Sequence, residues 1–136
     1  MTKKPKGTTL KKKLWKVFSL YIRTRDQGVC ISCGKKDAIK NVDAGHYIPK
    51  TAGNSIYFDE QNVHAQCTGC NRFRHGNLSL YALALRQKYG NDILEILDAR
   101  RRQIRKITII EYQTLIEKYT NKLEYESLSQ RRKAKE

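Results

Sequence analysis

Two Cys-x-x-Cys pairs, Cys30/Cys33 and Cys67/Cys70, constrain this chain more than any other feature. They hold all four of its cysteines, and all three histidines (His46, His64 and His75) lie in the same stretch from Cys30 to His75. Thiolates at i and i+3 on a tight turn reach one ion, and two such turns make a tetrahedral set with bonds of about 2.3 Å. Gly34 gives the backbone room behind the first pair. The spacing predicts a structural zinc on Cys30, Cys33, Cys67 and Cys70, with no coordination position left open for chemistry. A disulfide framework is the weaker reading, because paired knuckles in a reducing compartment favour metal.

A metal staple suits a chain of this size. At 136 residues and 39% hydrophobic content, it has room for one domain with a modest core. The charge points to a partner: Lys and Arg number 28 against 13 Asp and Glu, a formal +15. A soluble chain this basic usually meets a polyanion, and nucleic acid is the commonest. No apolar run approaches the roughly 18 residues of a spanning helix, and no lipidation motif is present, so a membrane is not the expected partner. MTKKPKGTTLKKK leads into no apolar segment of signal-peptide length, which sets the expectation at the cytoplasm, that of a bacterial host if the chain is phage-encoded.

The expected fold class is α+β and mostly helical, a single domain over residues 1–136. A basic arm spans 1–8, possible phosphate ground or simply a solubilising tail. A basic N-terminal helix covers 9–25, capped by Thr8 or Thr9, with Leu10, Leu14, Val17, Phe18, Tyr21 and Ile22 on one stripe. Lys12 and Lys13 lie on its basic surface. A zinc-bound core takes 28–77: a strand over 42–50, a second short strand at Ile56-Tyr57-Phe58, and a helix from the second knuckle to His75. C-terminal helices fill 78–125. The first is capped by Asn77 or Ser79 and ends at Gly90, the second runs to Ile104 and carries a cluster that includes Arg101, and the third opens with the capping box Thr108-x-x-Glu111. On that third helix Ile109, Tyr112, Ile116, Tyr119 and Leu123 form a narrow seam. It suits packing within the chain, or on a second copy in a homodimer. A basic tail over 126–136 is expected to be disordered.

Residues between the knuckles exceed what a structural zinc needs. Hydrolysis of a phosphodiester requires a base for water, a cation for the developing charge, and groups that orient both. His46, neutral at cellular pH with an ordinary pKa near 6.5, is the candidate base. Asn71 and His75, four apart on the expected helix, share a face and suit one divalent ion, magnesium or manganese. Asp43, the nearest carboxylate in sequence to His46, is the expected hard anionic ligand of that same ion. Arg72 and Arg74 flank the site and could grip a DNA strand. His64 reads as a support of the fold or a phosphate contact.

The order of knuckle, strand histidine, asparagine, knuckle and helix-borne Asn and His resembles the HNH, or ββα-metal, nucleases. YIRTRDQGVCISCG, DAGHY and NVHAQCTGCNRFRHGN resemble the NinG/Rap family of phage recombination endonucleases, and the layout is similar to endonuclease VII resolvases. The resemblance implies a zinc-stapled ββα core with flanking helices and a metal-dependent endodeoxyribonuclease acting on branched DNA such as Holliday junctions, usually as a dimer. It also implies catalytic roles for His46, Asn62 and Asn71, with Asn62 tying the loop that orients the base. One departure stands out. Many HNH nucleases carry Asp before the catalytic His, where this chain has Gly45. Two other readings use the same residues: a non-catalytic zinc-knuckle DNA-binding or recombination accessory protein, and a sequence-specific HNH nicking or restriction enzyme.

Overall fold

The computed structural model describes residue 4 and residues 6–136, so most of the N-terminal arm lies outside the described residues. The fold is mostly helical, with one small two-stranded sheet. Helix α1 (Gly7–Arg25) buries Leu10, Leu14, Phe18, Tyr21 and Ile22, the apolar stripe of the sequence. It starts ahead of Thr9. Lys6 takes the cap position with no side-chain hydrogen bond, which leaves Thr8 and Thr9 inside the first turn rather than capping it. The helix ends where Gln27 and Gly28 turn left-handed, at φ 55° and 72°. A side chain on Gly28 would meet the Asp37 carbonyl at 2.0 Å, so this turn requires glycine.

Strands β1 (Asp43–His46) and β2 (Val63–Gln66) pair antiparallel, with Asp43 opposite Gln66 and Gly45 opposite His64. Alternation puts Ala44, His46, Val63 and Ala65 on one face and Asp43, Gly45, His64 and Gln66 on the other. Val63 and Ala44 pack into the α1 cluster. Asp26 links α1 to the sheet by accepting from the Ala65 N–H at 2.8 Å.

Two expectations in the connection between the strands are corrected. The strand over 42–50 is only four residues long, and Ile56-Tyr57-Phe58 is not a strand. Asn54–Tyr57 forms a one-turn helix, α2, after Gly53 reverses the chain at φ 126°. Three apolar residues are too few to reveal their period, and Ile56 is buried by α2 in a second cluster with Ile48, Tyr81, Leu85, Ile93 and Leu97. That cluster is completed by α3 (Leu78–Tyr89) and α4 (Ile93–Arg101); α4 stops short of Ile104, which is 96% exposed.

Helix α5 (Ile109–Ala134) is 26 residues long, and its cap is the expected one: Thr108 Oγ1 accepts from the Glu111 N–H at 3.2 Å. Its seam packs within the chain on α1, burying Tyr112 and Tyr119 beside Leu10, Leu14 and Phe18. Glu60 fastens it, accepting from Tyr21 and Tyr119 hydroxyls at 3.2 and 3.1 Å and from Lys122 at 2.9 Å. The tail expected to be disordered is instead largely the end of α5, where Gln130 donates to the Thr24 carbonyl at 2.7 Å. Among the described residues no helix is long and apolar enough to cross a membrane.

Candidate metal centre and adjoining cleft

The two knuckles bring Cys30, Cys33, Cys67 and Cys70 together, with all four sulfurs within 4.8 Å of one another. Cys33 and Cys67 Sγ stand 3.7 Å apart, far beyond a disulfide bond and close to the edge of about 3.75 Å of a tetrahedron with 2.3 Å zinc–sulfur bonds. Backbone geometry supports the set: the Gly34 N–H donates to the Cys30 carbonyl at 2.8 Å, and Cys67 Sγ accepts from the Cys70 N–H at 3.4 Å. Burial raises the Cys67 thiol, but the Cys70 N–H and the neighbouring thiols outweigh it and bring it down to about 7. For Cys33 the Lys35 N–H lowers the thiol, while burial and the other three cysteines together push it up to about 12. Cys67 ionises readily while Cys33 and Cys70 resist, which is how crowded thiols behave until a cation compensates their charge. The residues fit a four-thiolate zinc.

The second knuckle runs directly into a wide single turn, Gly69–Phe73, closed by the Arg74 N–H on the Gly69 carbonyl at 3.0 Å. The helix expected to reach His75 therefore ends earlier, and His75 has a left-handed backbone at φ 50°. Asn71 and His75 do not share a helix face. They nevertheless line one cleft of about 390 Å³, together with His46, Gly45, Gly76, Lys50 and Trp15.

His46 is held on three sides. Its ring stacks on Trp15 at 5.1 Å between centroids, meets the Tyr57 ring edge-on at 5.2 Å, and places Nε2 2.9 Å from the Tyr57 carbonyl. A carbonyl only accepts, so Nε2 carries the proton and the neutral ring keeps its lone pair on Nδ1. Burial lowers the His46 pKa below its ordinary value, Lys50 adds to this, and the Tyr57 carbonyl opposes both. The imidazole is accordingly neutral at neutral pH, the form that accepts a proton.

Asn62, fully buried, ties the chain around this histidine. Its Oδ1 accepts from the Ile48 N–H at 2.8 Å, and its Nδ2 donates to the Ile48 and Ile56 carbonyls at 3.0 and 3.2 Å. The second of these contacts fixes α2, which carries the Tyr57 carbonyl. Asp43 is engaged by side chains: it accepts from Asn71 Nδ2 at 3.1 Å and from Arg72 at 3.1 and 3.2 Å. Arg74 leaves the same short turn, exposed. Lys12 lines a neighbouring groove with Trp15 and Tyr57, whereas Lys13 and Arg101 line neither this groove nor the cleft; Arg101 pairs with Asp98.

His64 supports the fold. It is fully buried, with Nδ1 3.2 Å from the Tyr81 hydroxyl and Nε2 2.7 Å from that of Tyr89. Tyr81 donates in turn to the Gly45 carbonyl at 2.8 Å. Burial, reinforced by Arg25, drives the His64 pKa down to about 3.

A family model described as Bacteriophage Lambda NinG protein matches residues 2–128. The chain belongs to the NinG family. Its NinG relatives include the ninG proteins of Escherichia phage 933W (34% identical over 113 residues, 82% of this chain and 55% of the relative) and Escherichia phage lambda (33% over 113 residues, 82% and 54%). The ninG protein of Salmonella phage P22 is 39% identical over 80 residues, 58% of this chain and 39% of the relative. The chain thus spans about half the length of the 933W and lambda NinG proteins it matches. No solved structure matches it.

Several residues around the NinG cleft carry no sequence signal of their role. Trp15 and Tyr57 read as core aromatics, yet they sandwich His46. Lys11 reads as one lysine among several, yet it bonds Asn54 Oδ1 at 3.0 Å and lies over the Tyr57 ring at 4.4 Å. Asn77, expected to cap α3, has a left-handed backbone and donates instead to Cys70 Sγ at 3.4 Å.

Proposed function

We propose that this NinG-family chain is a metal-dependent DNA endonuclease of the HNH, or ββα-metal, type, acting on branched recombination intermediates such as Holliday junctions. The observation that carries the reading is the state of His46. It is a neutral imidazole with Nε2–H held by the Tyr57 carbonyl and Nδ1 left as the acceptor, in a cleft shared with Asn71 and His75. In this role Nδ1 takes the proton of the attacking water, the Tyr57 carbonyl stabilises the imidazolium that forms, and Asn62 keeps that carbonyl in place. Asn71 and His75 would hold the catalytic magnesium or manganese, which supplies charge stabilisation on the phosphate and leaving oxygen. Asp43 faces Asn71 and Arg72, so it orients the amide of Asn71 from behind. A zinc on Cys30, Cys33, Cys67 and Cys70 would tie the turn that carries Asn71 to the first knuckle.

DNA is the partner this charge favours, +15 overall, with Lys50 lining the cleft, Lys12 lining the adjoining groove, and Arg72 and Arg74 on the turn that carries Asn71. Lys13 and Arg101 would reach only more distant phosphates. A second copy, if two strands are cut together, needs a surface other than the α5 seam, which α1 covers. The test is a cleavage assay in magnesium or manganese on a four-way junction, a linear duplex and a single strand, with His46→Ala beside the wild type. Junction cutting that disappears in the variant, at unchanged zinc content, is the expected result. Equal cutting of all three DNAs removes the junction preference. Tight junction binding without any cutting by the wild type replaces the enzyme with a zinc-knuckle DNA-binding protein.

A further inference from the structure

One phenylalanine of this chain stands in water. Phe18 is buried and Phe58 half-buried, but Phe73 is 80% exposed and belongs to neither apolar cluster. A single exposed apolar side chain usually needs no explanation, but the place of this one is particular. Phe73 closes the turn Gly69–Phe73 and lies in the chain between Asn71 and His75, both of which line the cleft. An exposed arginine stands on each side of it. Arg72 is held by Asp43 at 3.1 Å, and Arg74 forms no ion pair among the described residues. The backbone under the ring is fixed at both ends. The Asn71 N–H donates to the Cys67 carbonyl at 2.9 Å, the Gly76 N–H to the Cys70 carbonyl at 2.8 Å, and the Asn77 N–H to the Arg74 carbonyl at 2.8 Å. Gln66, fully buried, adds bonds from Nε2 to the Gly76 carbonyl at 2.7 Å and to Ser32 Oγ at 2.9 Å. Gly45 makes room for that glutamine, since a Cβ there would meet Gln66 Oε1 at 1.9 Å and Asn71 Oδ1 at 2.9 Å. An apolar ring is thus held out to solvent on a rigid turn, between two cations, on the segment that walls the cleft.

We infer that Phe73 is a specificity-determining residue whose ring stacks on a DNA base that has lost a stacking neighbour, at a branch point or an unpaired nucleotide, while Arg72 and Arg74 meet the adjoining phosphates. This inference rests on the proposed function for DNA as the partner, but not for its cleavage. Inside a continuous duplex both faces of every base are already covered, so a ring can stack there only by opening a step. At a branch or a gap a base face is free. Base–aromatic stacking is indifferent to which base is met, so the ring selects the shape of the DNA and not its sequence. The flanking guanidinium groups favour this polyanionic partner over an apolar protein surface, and the exposure follows, since a ring kept for a base cannot pack into its own fold.

The experiment uses the zinc-loaded full chain without magnesium or manganese, so that DNA is bound and not cut. Fluorescence anisotropy compares Phe73→Ala and Phe73→Tyr with the wild type on a four-way junction and on a linear duplex. A junction carrying 2-aminopurine at the branch point reports broken base–base stacking as a rise in emission. Phe73→Ala should bind the junction about tenfold more weakly and the duplex as the wild type does. Its salt dependence of binding should not change, because no phosphate contact is lost. Phe73→Tyr keeps a ring and should retain both the affinity and the 2-aminopurine signal, which Phe73→Ala should lack. Unchanged junction affinity in Phe73→Ala overturns the inference and leaves the ring to a protein partner; an equal loss on junction and duplex overturns it too. If Phe73→Ala loses zinc, the wild type decides: no rise in 2-aminopurine emission on binding overturns the inference. A wild type that binds neither DNA removes this inference and the DNA reading together. Junction binding through Phe73 by a chain that never cuts once magnesium or manganese is added leaves this inference standing and removes the nuclease. Divalent-dependent junction cutting that Phe73→Ala leaves unaffected, in affinity and in rate, does the reverse.

Discussion

Acidification should remove stability through His64 before it touches the carboxylates. The ring is neutral in the folded protein with a pKa near 3, against roughly 6.5 in the unfolded chain. Between those values the unfolded state binds the extra proton, so stability rises with pH across the window and is lost as pH falls from about 6.5 toward 3. From pH 7.5 to 5.0 that loss amounts to about 2 kcal/mol, and to about 4 kcal/mol if the fold survived to pH 3. Asp26 and Glu60 have lowered pKa values and stay ionised throughout the upper part of the window. His46 and the zinc thiolates lose stability in the same direction, so the useful quantity is a difference between two proteins. Urea unfolding of the wild type and of His64→Gln at pH 7.5, 6.5, 5.5 and 5.0, with zinc measured at each point, isolates the His64 contribution. The stability gap between them should shrink by about 2 kcal/mol over the series. A gap that stays constant would mean that His64 takes up its proton in the fold at the same pH as in the unfolded chain, and the Tyr89–His64–Tyr81 chain of hydrogen bonds would have to be redrawn.

Other perturbations have comparably definite outcomes. Cys70→Ser, or chelation of the wild type, should abolish cooperative unfolding of the sheet and of α3, since a bound structural zinc is folding free energy; circular dichroism melts against zinc content check this. Glu60→Ala removes the acceptor of Tyr21, Tyr119 and Lys122, and should cost about 1–3 kcal/mol with faster amide exchange confined mainly to α5. Trp15→Ala opens His46 to water, so its lowered pKa should rise toward 6.5, as a histidine NMR titration would read, and under the proposed nuclease role the acid limb of the cleavage profile should move to higher pH.

Helices with a long apolar stripe were legible in the sequence: α1 from Leu10 to Ile22, and α5 from its Thr108 cap. The four cysteines were legible because metal-ligand spacing is a local property of a turn. What escaped was set by contacts across the fold. Ile56-Tyr57-Phe58 read as a strand by residue type, but the loop between β1 and β2 coils there and presents the Tyr57 carbonyl to His46. The basic end of α5 read as disordered from its charge, with no sign that Gln130 would dock on the end of α1. His46, Asn71 and His75 were picked out from their order in the chain and do meet in one cleft. Trp15 and Gln66 were invisible because a core aromatic and a strand glutamine look like packing until their neighbours are known.

The crowding over Gly45 also limits how this sequence can drift. Any substitution there meets Gln66 Oε1 at 1.9 Å, and replacing Gln66 alone leaves a hollow beside a bare glycine. A chain with an acid at 45 and a small residue at 66 would therefore lie a double step from this one, since Gly45→Asp alone meets Gln66 and Gln66→Ala alone leaves the hollow. Swapping the two positions together, as in Gly45→Asp with Gln66→Ala, should be tolerated better than Gly45→Asp alone. Lineages would then hold one solution or the other, and the pair of residues at 45 and 66 would change together or not at all.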